Sequence, residues 1–345
     1  MSVESEGRGV DGFSTRRRVT LDDVARRAQV SRALVSIVMR DVKGASAATR
    51  ARVFEAAREL GYRPDLRARA LAGQKSRLVG VVFGVAGSFH FDLLEGLYAA
   101  AEQRGYDVLL SALTRRRDEQ HAVQSLHDFQ FDGLVMLGPA VAEPVMAGKL
   151  PLAVVGWHVE HPDVDVVRTS DVEGMDLAVA HLVDLGHTRI AHIDGGEHLI
   201  SDSRRAGYVN AMTAAGLSEQ VRVVPGGETQ LDGLRAAHAL LAAAELPTAV
   251  IAYNDDVAVA AMNALLQAGL RVPDDVSVVG WDDSEMAQLS HVDLTSVAQD
   301  PIRMATLALE RVVARSIGTA VGDREVVLSP LLQVRSSSGR APSTT

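Results

Sequence analysis

The sequence predicts a small all-α helix-turn-helix head followed by an α/β body of two doubly wound parallel-sheet lobes. Three observations carry that prediction. Residues 20–60 show three short helical patterns with one apolar face each. From Leu78 onward, strand-length apolar runs alternate with helical stretches, and the alternation occurs twice. The charge changes at the same place: Arg16 to Arg77 holds 16 Lys plus Arg against 6 Asp plus Glu, and Leu78 to Thr345 holds 18 against 35. A basic head on an acidic body puts phosphate contact at one end only.

The head begins where Thr20 can cap a first helix, with Asp23 at its third position and Leu21, Val24 and Ala25 on its apolar face. Gln29 and Val30 make a turn, and Ser31 can cap a second helix to about Arg40. Leu34, Val35, Val38 and Met39 are spaced to pack inward, leaving Arg32, Ala33, Ser36 and Ile37 outside. Two helices so joined have the layout in which the second enters the major groove of double-stranded DNA and its first residues meet base edges. Ser46 opens a third helix carrying Val53, Phe54, Ala57 and Leu60 on its inner side and Arg50 in its first turn; Gly61 ends it, and Pro64 blocks continuation. The plainer reading is an ordinary three-helix bundle, which the net positive charge argues against.

In the body, VGVVFG, DVLLSA, GLVMLG and LAVVGW are continuous apolar runs, separated by helical stretches at Asp92 to Arg104, Asp118 to Phe129 and, more weakly, Val141 to Lys149. The pattern repeats with RIAHID, VRVVPG, AVIAYN and VSVVGW, and with helices near Arg204 to Ala215, Leu231 to Ala244 and Asp255 to Ala268. Continuous rather than alternating apolar strands mean a parallel sheet covered on both faces. Two sets mean two lobes.

Composition narrows the function classes. The 345-residue chain is 47% hydrophobic and 23% charged, as a soluble globular protein is, and has no cysteine. Cysteine-free sequence rules out disulfides and thiolate-bound metal and fits a reducing cytoplasm. No apolar run is long enough for a membrane span, and the polar N-terminus lacks the core of a secretory signal. Neither a G-x-S-x-G elbow nor a G-x-x-x-x-G-K-[ST] phosphate loop is present, so the reading is a binding protein and not an enzyme, with no cofactor.

Ligands of open parallel sheets bind past the carboxyl ends of the strands. That rule selects Phe89 and His90, Trp157 and His158, Asn254 and Asp255, and Trp281 and Asp282. Polar groups beside aromatics suit a small polyhydroxylated molecule. Each has a plainer reading too: Asn254 and Asp255 can simply cap the next helix, Trp281 can be core, Arg204 can be a surface charge, and lone histidines make no metal site.

The runs VTLDDVARRAQVS, TRARVFEAARELGYRP, ARAL, LVDLGHTRIAHIDG, RRAGYVNAM and PTAVIAYNDD resemble the lactose/galactose repressor family of bacterial transcription regulators over nearly the whole chain. The resemblance implies a body like the type I periplasmic sugar-binding proteins, with the chain crossing between lobes near Gly186 and Gln299 and the helix Pro301 to Ile317 returning to the first lobe. The implied division is a tail over 1–17, a DNA-binding head over 18–64, a hinge helix and linker over 65–77, a body over 78–335 and a tail over 336–345. The first lobe covers about 78–186 and 300–320, the second about 187–299 and 321–335.

It also maps base reading onto Arg32, Ala33 and Ile37. Arg32 can bond guanine bidentately, whereas Ile37 stands where members commonly carry Arg and can offer only an apolar contact. Thr20, Ser36 and Arg50 join them as candidate DNA contacts, and the basic segment after Leu66 brings Arg67, Arg69 and Leu71, the last as a minor-groove wedge; the same segment can also be a plain linker. For the effector, the resemblance marks Arg204 as the anchor and Asn254 with Asp282 as the hydroxyl-binding pair, beside Phe89, His90, Trp157, Glu173, Trp281 and Gln299. It implies a homodimer, since no leucine heptads follow Arg335. The expectation is therefore a transcription regulator, a repressor, whose grip on an operator is set by a sugar or sugar derivative bound between two lobes. Its rivals are a ligand-independent architectural DNA-binding protein and a sugar sensor with weak DNA binding.

Overall fold

The computed structural model of the chain describes residues 19–39, 44–62, 76–85, 89–114, 116–138 and 143–342. It divides into two compact units, residues 1–74 and 75–345.

In the first unit, α1 (Leu21–Ala28) starts with a capping box: Thr20 Oγ1 accepts from Asp23 N while Asp23 Oδ2 accepts from Thr20 N. Gln29, in the left-handed conformation at φ 55°, makes the turn into α2 (Arg32–Met39), which Ser31 caps through a bond from Leu34 N. The third helix, α3 (Ala47–Leu60), runs from a Ser46 cap to Gly61 at φ 63°. Val24, Val35, Val38 and Val53 are fully buried between the three. Two sequence expectations fail here, since Leu34 is only half-buried and lies outside that core, and Phe54 turns outward. Phe54 is 51% exposed, because Val53, Ala56 and Ala57 face inward and Phe54 lies to one side of that stripe.

The second unit holds two six-stranded sheets. The first has the order β11-β5-β4-β3-β1-β2, from β1 (Leu78–Gly84), β2 (Asp107–Leu113), β3 (Gly133–Leu137), β4 (Leu152–Val155), β5 (Val164–Thr169) and β11 (Glu325–Leu328), with every pair parallel. Between β1 and β2 runs α4 (Phe89–Gln103), and after β2 comes the short α5 (Glu119–Gln124). The second sheet has the order β12-β10-β9-β8-β6-β7, from β6 (Ile190–Ile193), β7 (Arg222–Val224), β8 (Ala249–Ala252), β9 (Ser277–Asp282), β10 (Thr295–Ala298) and β12 (Leu331–Gln333), of which only β12 runs antiparallel, to β10. Its helices are α6 (Asp171–Asp184), α7 (Leu199–Ala214), α8 (Gln230–Leu241) and α9 (Asp255–Gln267).

Each sheet is buried on both faces. On the first, Val81, Val135 and Val155 pack under Leu97 of α4 and Leu309 of α10 (Pro301–Ser316), which thus returns to the first lobe. Met136, Val154 and Leu126 fill the other face. On the second, Val250 and Val278 meet α8 and α9, while Ile190, Val279 and Val297 meet α6 and α7.

Four expectations about the body's organisation are corrected. The first crossing lies between β5 and α6, not near Gly186: Met175, Val179 and Leu182 of α6 pack with Tyr208 and Trp281, so that helix belongs to the second lobe. Residues 321–335 are shared out, β11 completing the first sheet and β12 the second. The chain therefore crosses three times, and Ser170 N donates to Leu328 O at 2.9 Å to tie two of the crossings. No helix forms over 143–150, which is a series of turns; β3 and β4 are adjacent parallel strands joined without a helix among the described residues. Finally, 336–341 is not a tail. Ser337 is 3% exposed, its backbone oxygen accepts from Val278 N at 2.8 Å, and its Oγ accepts from Thr295 N at 2.8 Å. Ala341 N donates to Leu185 O at 2.9 Å. A Ser-rich run satisfies backbone groups through hydroxyls, which its composition alone does not reveal.

Among the described residues no helix is long and apolar enough to cross a membrane.

Candidate functional site

On the head, Arg32 and Ala33 stand exposed at the start of α2, and Ser36 and Ile37 are half-buried one turn on. Arg32 Nε lies 3.7 Å from Asp22 Oδ1 of α1, a loose and exposed pair that leaves the guanidinium able to leave for a base edge. Thr20 is exposed, with its hydroxyl in the capping box, and Arg50 is half-buried on the first turn of α3. Arg67, Arg69 and Leu71, like the rest of the hinge segment, lie outside the described residues.

In the second unit, a cleft of about 200 Å³ lies between the two sheets at their strand ends. Six of the sequence-selected residues line it: Phe89, His90, Arg204, Asn254, Asp282 and Gln299. They come from α4, α7, the β8–α9 junction, β9 and the β10–α10 crossing, so the fold gathers distant segments at one place.

Arg204 is held rigidly. Only 5% exposed, it donates from Nε to Asp171 Oδ1 at 3.1 Å and from Nη1 to Tyr253 O at 2.6 Å, and its Cζ lies 4.7 Å from the Tyr253 ring and 4.2 Å from the Trp281 ring. Stacked and bonded in this way, the guanidinium has one fixed orientation. Asn254 caps α9 and ties it to the turn after β7: its Oδ1 accepts from Val257 N at 2.9 Å, and its Nδ2 donates to Glu228 O at 3.0 Å. Gln299 Nε2 donates to Asp282 Oδ1 at 2.7 Å, joining the crossing to the end of β9.

Asp282 and Asp283 have φ of 107° and 54°, two successive non-glycine residues in the left-handed region. Asp255 holds that bend. Buried at 1%, it accepts from Ser284 N at 2.7 Å and Ser284 Oγ at 2.8 Å on one oxygen, and from Ser296 Oγ at 2.6 Å on the other. Burial pushes the Asp255 carboxyl up to about 6, against the hydrogen bonds from Ser296 and Ser284. Burial also raises the Asp282 carboxyl well above its ordinary range, against the pull of Arg204.

Five selected residues do not line the cleft: Asp255 is buried under the bend it holds, His158 is exposed with its Nδ1 3.0 Å from Glu325 Oε1, and Trp157, Trp281 and Glu173 lie elsewhere. Trp157 is 2% exposed in the core of the first lobe, and Trp281 is fully buried, acting on the cleft only by stacking under Arg204. Glu173 is exposed on the first turn of α6. In exchange, His198, Glu228 and Tyr253 line it without having been selected. His198 caps α7 through Nδ1, which accepts from Ser201 N, so its Nε2 carries the proton toward Gly195 O and Glu228 Oε1. Among the described residues, no group of three His, Asp or Glu is placed to hold a metal ion.

A three-helix module with an exposed recognition helix, together with a two-sheet body enclosing a polar cleft, defines a DNA-binding protein with a ligand-sensing body. Comparison with known proteins makes this specific. The model of the bacterial regulatory proteins of the lacI family matches residues 20–65, and that of the periplasmic binding protein-like domain matches residues 179–338. The ribose operon repressor of Escherichia coli (strain K12) is 32% identical over 329 residues, covering 92% of this chain and 99% of the repressor. The crystal structure of a LacI transcriptional regulator from a Rhodococcus species has 41% identity and a TM-score of 0.73, covering 77% of this chain and all of that one, 100%. The lac repressor dimer bound to operator and the anti-inducer ONPF has 29% identity and a TM-score of 0.81, covering 94% and 100%. The chain belongs to the lacI family of bacterial transcription regulators, and its DNA binding is controlled by an effector.

Proposed function

We propose that this regulator is a cytoplasmic homodimeric repressor that binds a roughly palindromic operator through α2 and releases or retains it according to a small polyhydroxylated effector, a sugar or sugar derivative, in the cleft. The body has no catalytic role in this reading. The observation that carries it is the convergence of Phe89, His90, Arg204, Asn254, Asp282 and Gln299 on one cleft between lobes that the chain crosses three times. A ligand touching both lobes changes their relation, and it shifts DNA affinity only as far as it prefers one arrangement. The names of the relatives support repression, operator binding and dimer formation; the lack of cysteine supports a reducing compartment. Arg32 and Ala33 read bases, with Ile37 against a thymine methyl, while Thr20 and Arg50 contact phosphates.

The test is to select duplexes from a random pool with the full chain, then titrate the best with and without a panel of sugars and nucleosides. A ligand that changes operator affinity by tenfold or so, a coupling of about 1.4 kcal/mol, is the predicted result. Selected DNA whose affinity responds to nothing in the panel would point to an architectural DNA-binding protein, and no preference over bulk duplex to a sugar sensor.

A further inference from the structure

The first described residues of the body are Ser76 and Arg77, which precede β1. The parallel ladder itself begins at Leu78, whose carbonyl accepts from Asp132 N at 2.8 Å. The Asp132 side chain reaches past that end. Its Oδ1 accepts from Ser76 N and from Ser76 Oγ, both at 3.0 Å, and its Oδ2 accepts from Arg77 N at 2.9 Å. On the other side of β1, Arg77 O accepts from Asp107 N of β2 at 2.8 Å. One carboxylate thus holds both residues that the sequence places at the end of the linker.

The chain would not keep this conformation unaided. Arg77 is exposed and has φ of 54°, in the left-handed region that a side-chain-bearing residue holds only where its surroundings fix it. Ser76 is buried, and its Oγ also accepts from Leu78 N at 3.2 Å. Asp132 is anchored in turn. A Cβ on the next residue, Gly133, would overlap Val312 of α10 and crowd Pro151 O ahead of β4, so the backbone beside the clamp has no room to shift. Removing the carboxylate turns Ser76 N, Ser76 Oγ and Arg77 N over to water and lets the two residues leave the strand end.

We propose that Asp132 is a positioning residue for operator binding: by clamping Ser76 and Arg77 it fixes where the linker ends, and so sets the half-site spacing that the dimer accepts. Opening the clamp adds two residues to each linker, about 7 Å of reach per protomer and about 14 Å between the two heads. One base pair inserted between half-sites asks for only about 3.4 Å more span and a rotation of about 35°. The clamped length therefore decides between accepting and refusing that insertion, because the second head binds best when the linkers match the span. This rests on the reading of the chain as a homodimer on an operator of two half-sites.

The test takes the motif that the full wild-type chain selects from random duplexes and rebuilds it in three forms: unchanged, with one base pair added at its centre, and with one half-site scrambled. Wild type should lose roughly tenfold or more in affinity on the insertion, and Asp132→Ala roughly threefold or less, while the two bind the single half-site alike. Asp132→Asn keeps an oxygen for Ser76 and loses the bond from Arg77 N, so its loss should fall between them. Melting checks that the variants fold; should Asp132→Ala fail to, Asp132→Asn decides. A stabilising role alone would leave the ratio of the first two duplexes unchanged. A folded variant as strict as wild type, one weakened by the same factor on all three duplexes, or a wild type that tolerates the insertion, overturns the proposal and leaves the operator reading standing. Selection of no paired motif by wild type removes both.

Discussion

Asp171 and Arg204 form an ion pair inside the second lobe, Nε to Oδ1 at 3.1 Å, with side chains only 7% and 6% exposed. Asp171 opens α6 directly after the first crossing between lobes, and Arg204 carries a wall of the cleft. The pair therefore joins the crossing to the site. Burying two charges gains little over an apolar pair, but leaving one of them alone is costly.

Asp171→Ala is accordingly predicted to destabilise the body by about 3 to 5 kcal/mol, measured by urea unfolding, because Arg204 is left buried without its partner. Combining it with Arg204→Met should recover much of that loss while abolishing ligand binding. A single substitution costing less than about 1 kcal/mol would mean that water already screens the pair.

Asn254 has two roles that substitutions can separate. Asn254→Ala removes the cap of α9 and should cost about 1 kcal/mol of stability together with effector affinity. Asn254→Ser keeps an oxygen for Val257 N but loses the bond to Glu228 O, so stability should return while affinity stays low. Affinity and stability returning together would mean that Asn254 acts only as a cap.

His192 supplies a pH dependence. It is fully buried on β6, and burial depresses its imidazole to about 4 from an ordinary 6.5. Between those values the unfolded chain takes up a proton that the folded one refuses, so stability falls as pH drops from 6.5 toward 4. The contribution is on the order of 3 kcal/mol. Asp255, raised to about 6, acts in the opposite sense: its folded form holds a proton that the unfolded chain releases above 3.8, so its penalty is lifted by acid. The comparison to make is wild type against His192→Leu at pH 7 and pH 4.5, where the variant should gain relative stability in acid. A constant difference would show that His192 does not titrate in this range.

On the head, Arg32→Ala should relax preference at one base pair, with a loss of roughly 1 to 3 kcal/mol for the best sequence. Arg50→Ala should weaken all sequences alike and reduce the salt slope by about 1. Quantitative binding to a randomised pool at two salt concentrations separates these outcomes. Identical effects from the two substitutions would contradict the docking through α2.

Much of this was legible in the chain because strand ends announce themselves. The apolar runs located β1, β8 and β9, and the residues just past or at their ends, Phe89, His90, Asn254 and Asp282, line the cleft. The same rule applied to β6 and β7 leads to His198 and Glu228, which were passed over because both follow Gly-rich turns. The two misplaced tryptophans have different causes. Asp282 faces the cleft, so its neighbour Trp281 on β9 must face the opposite side, whereas Trp157 lies beyond the end of β4, where Gly156 at φ +109° bends the chain and the indole packs into the first lobe's core. Gly174 marks the burial of Trp281, since a Cβ there would overlap the indole ring. The lobe boundary was not legible. Whether α6 packs under its own sheet or the next depends on which partner buries Met175 and Leu182, a long-range matter that periodicity does not carry.

The central claim is that the head reads DNA sequence and the body adjusts that reading. Its most direct measurement is selection from random duplexes by the full chain with, beside it, the Arg32→Ala variant. The account predicts that wild type enriches a motif of two related half-sites, from which the variant loses information at symmetric positions. Enrichment of no motif by wild type, or of an unchanged motif by the variant, would contradict it.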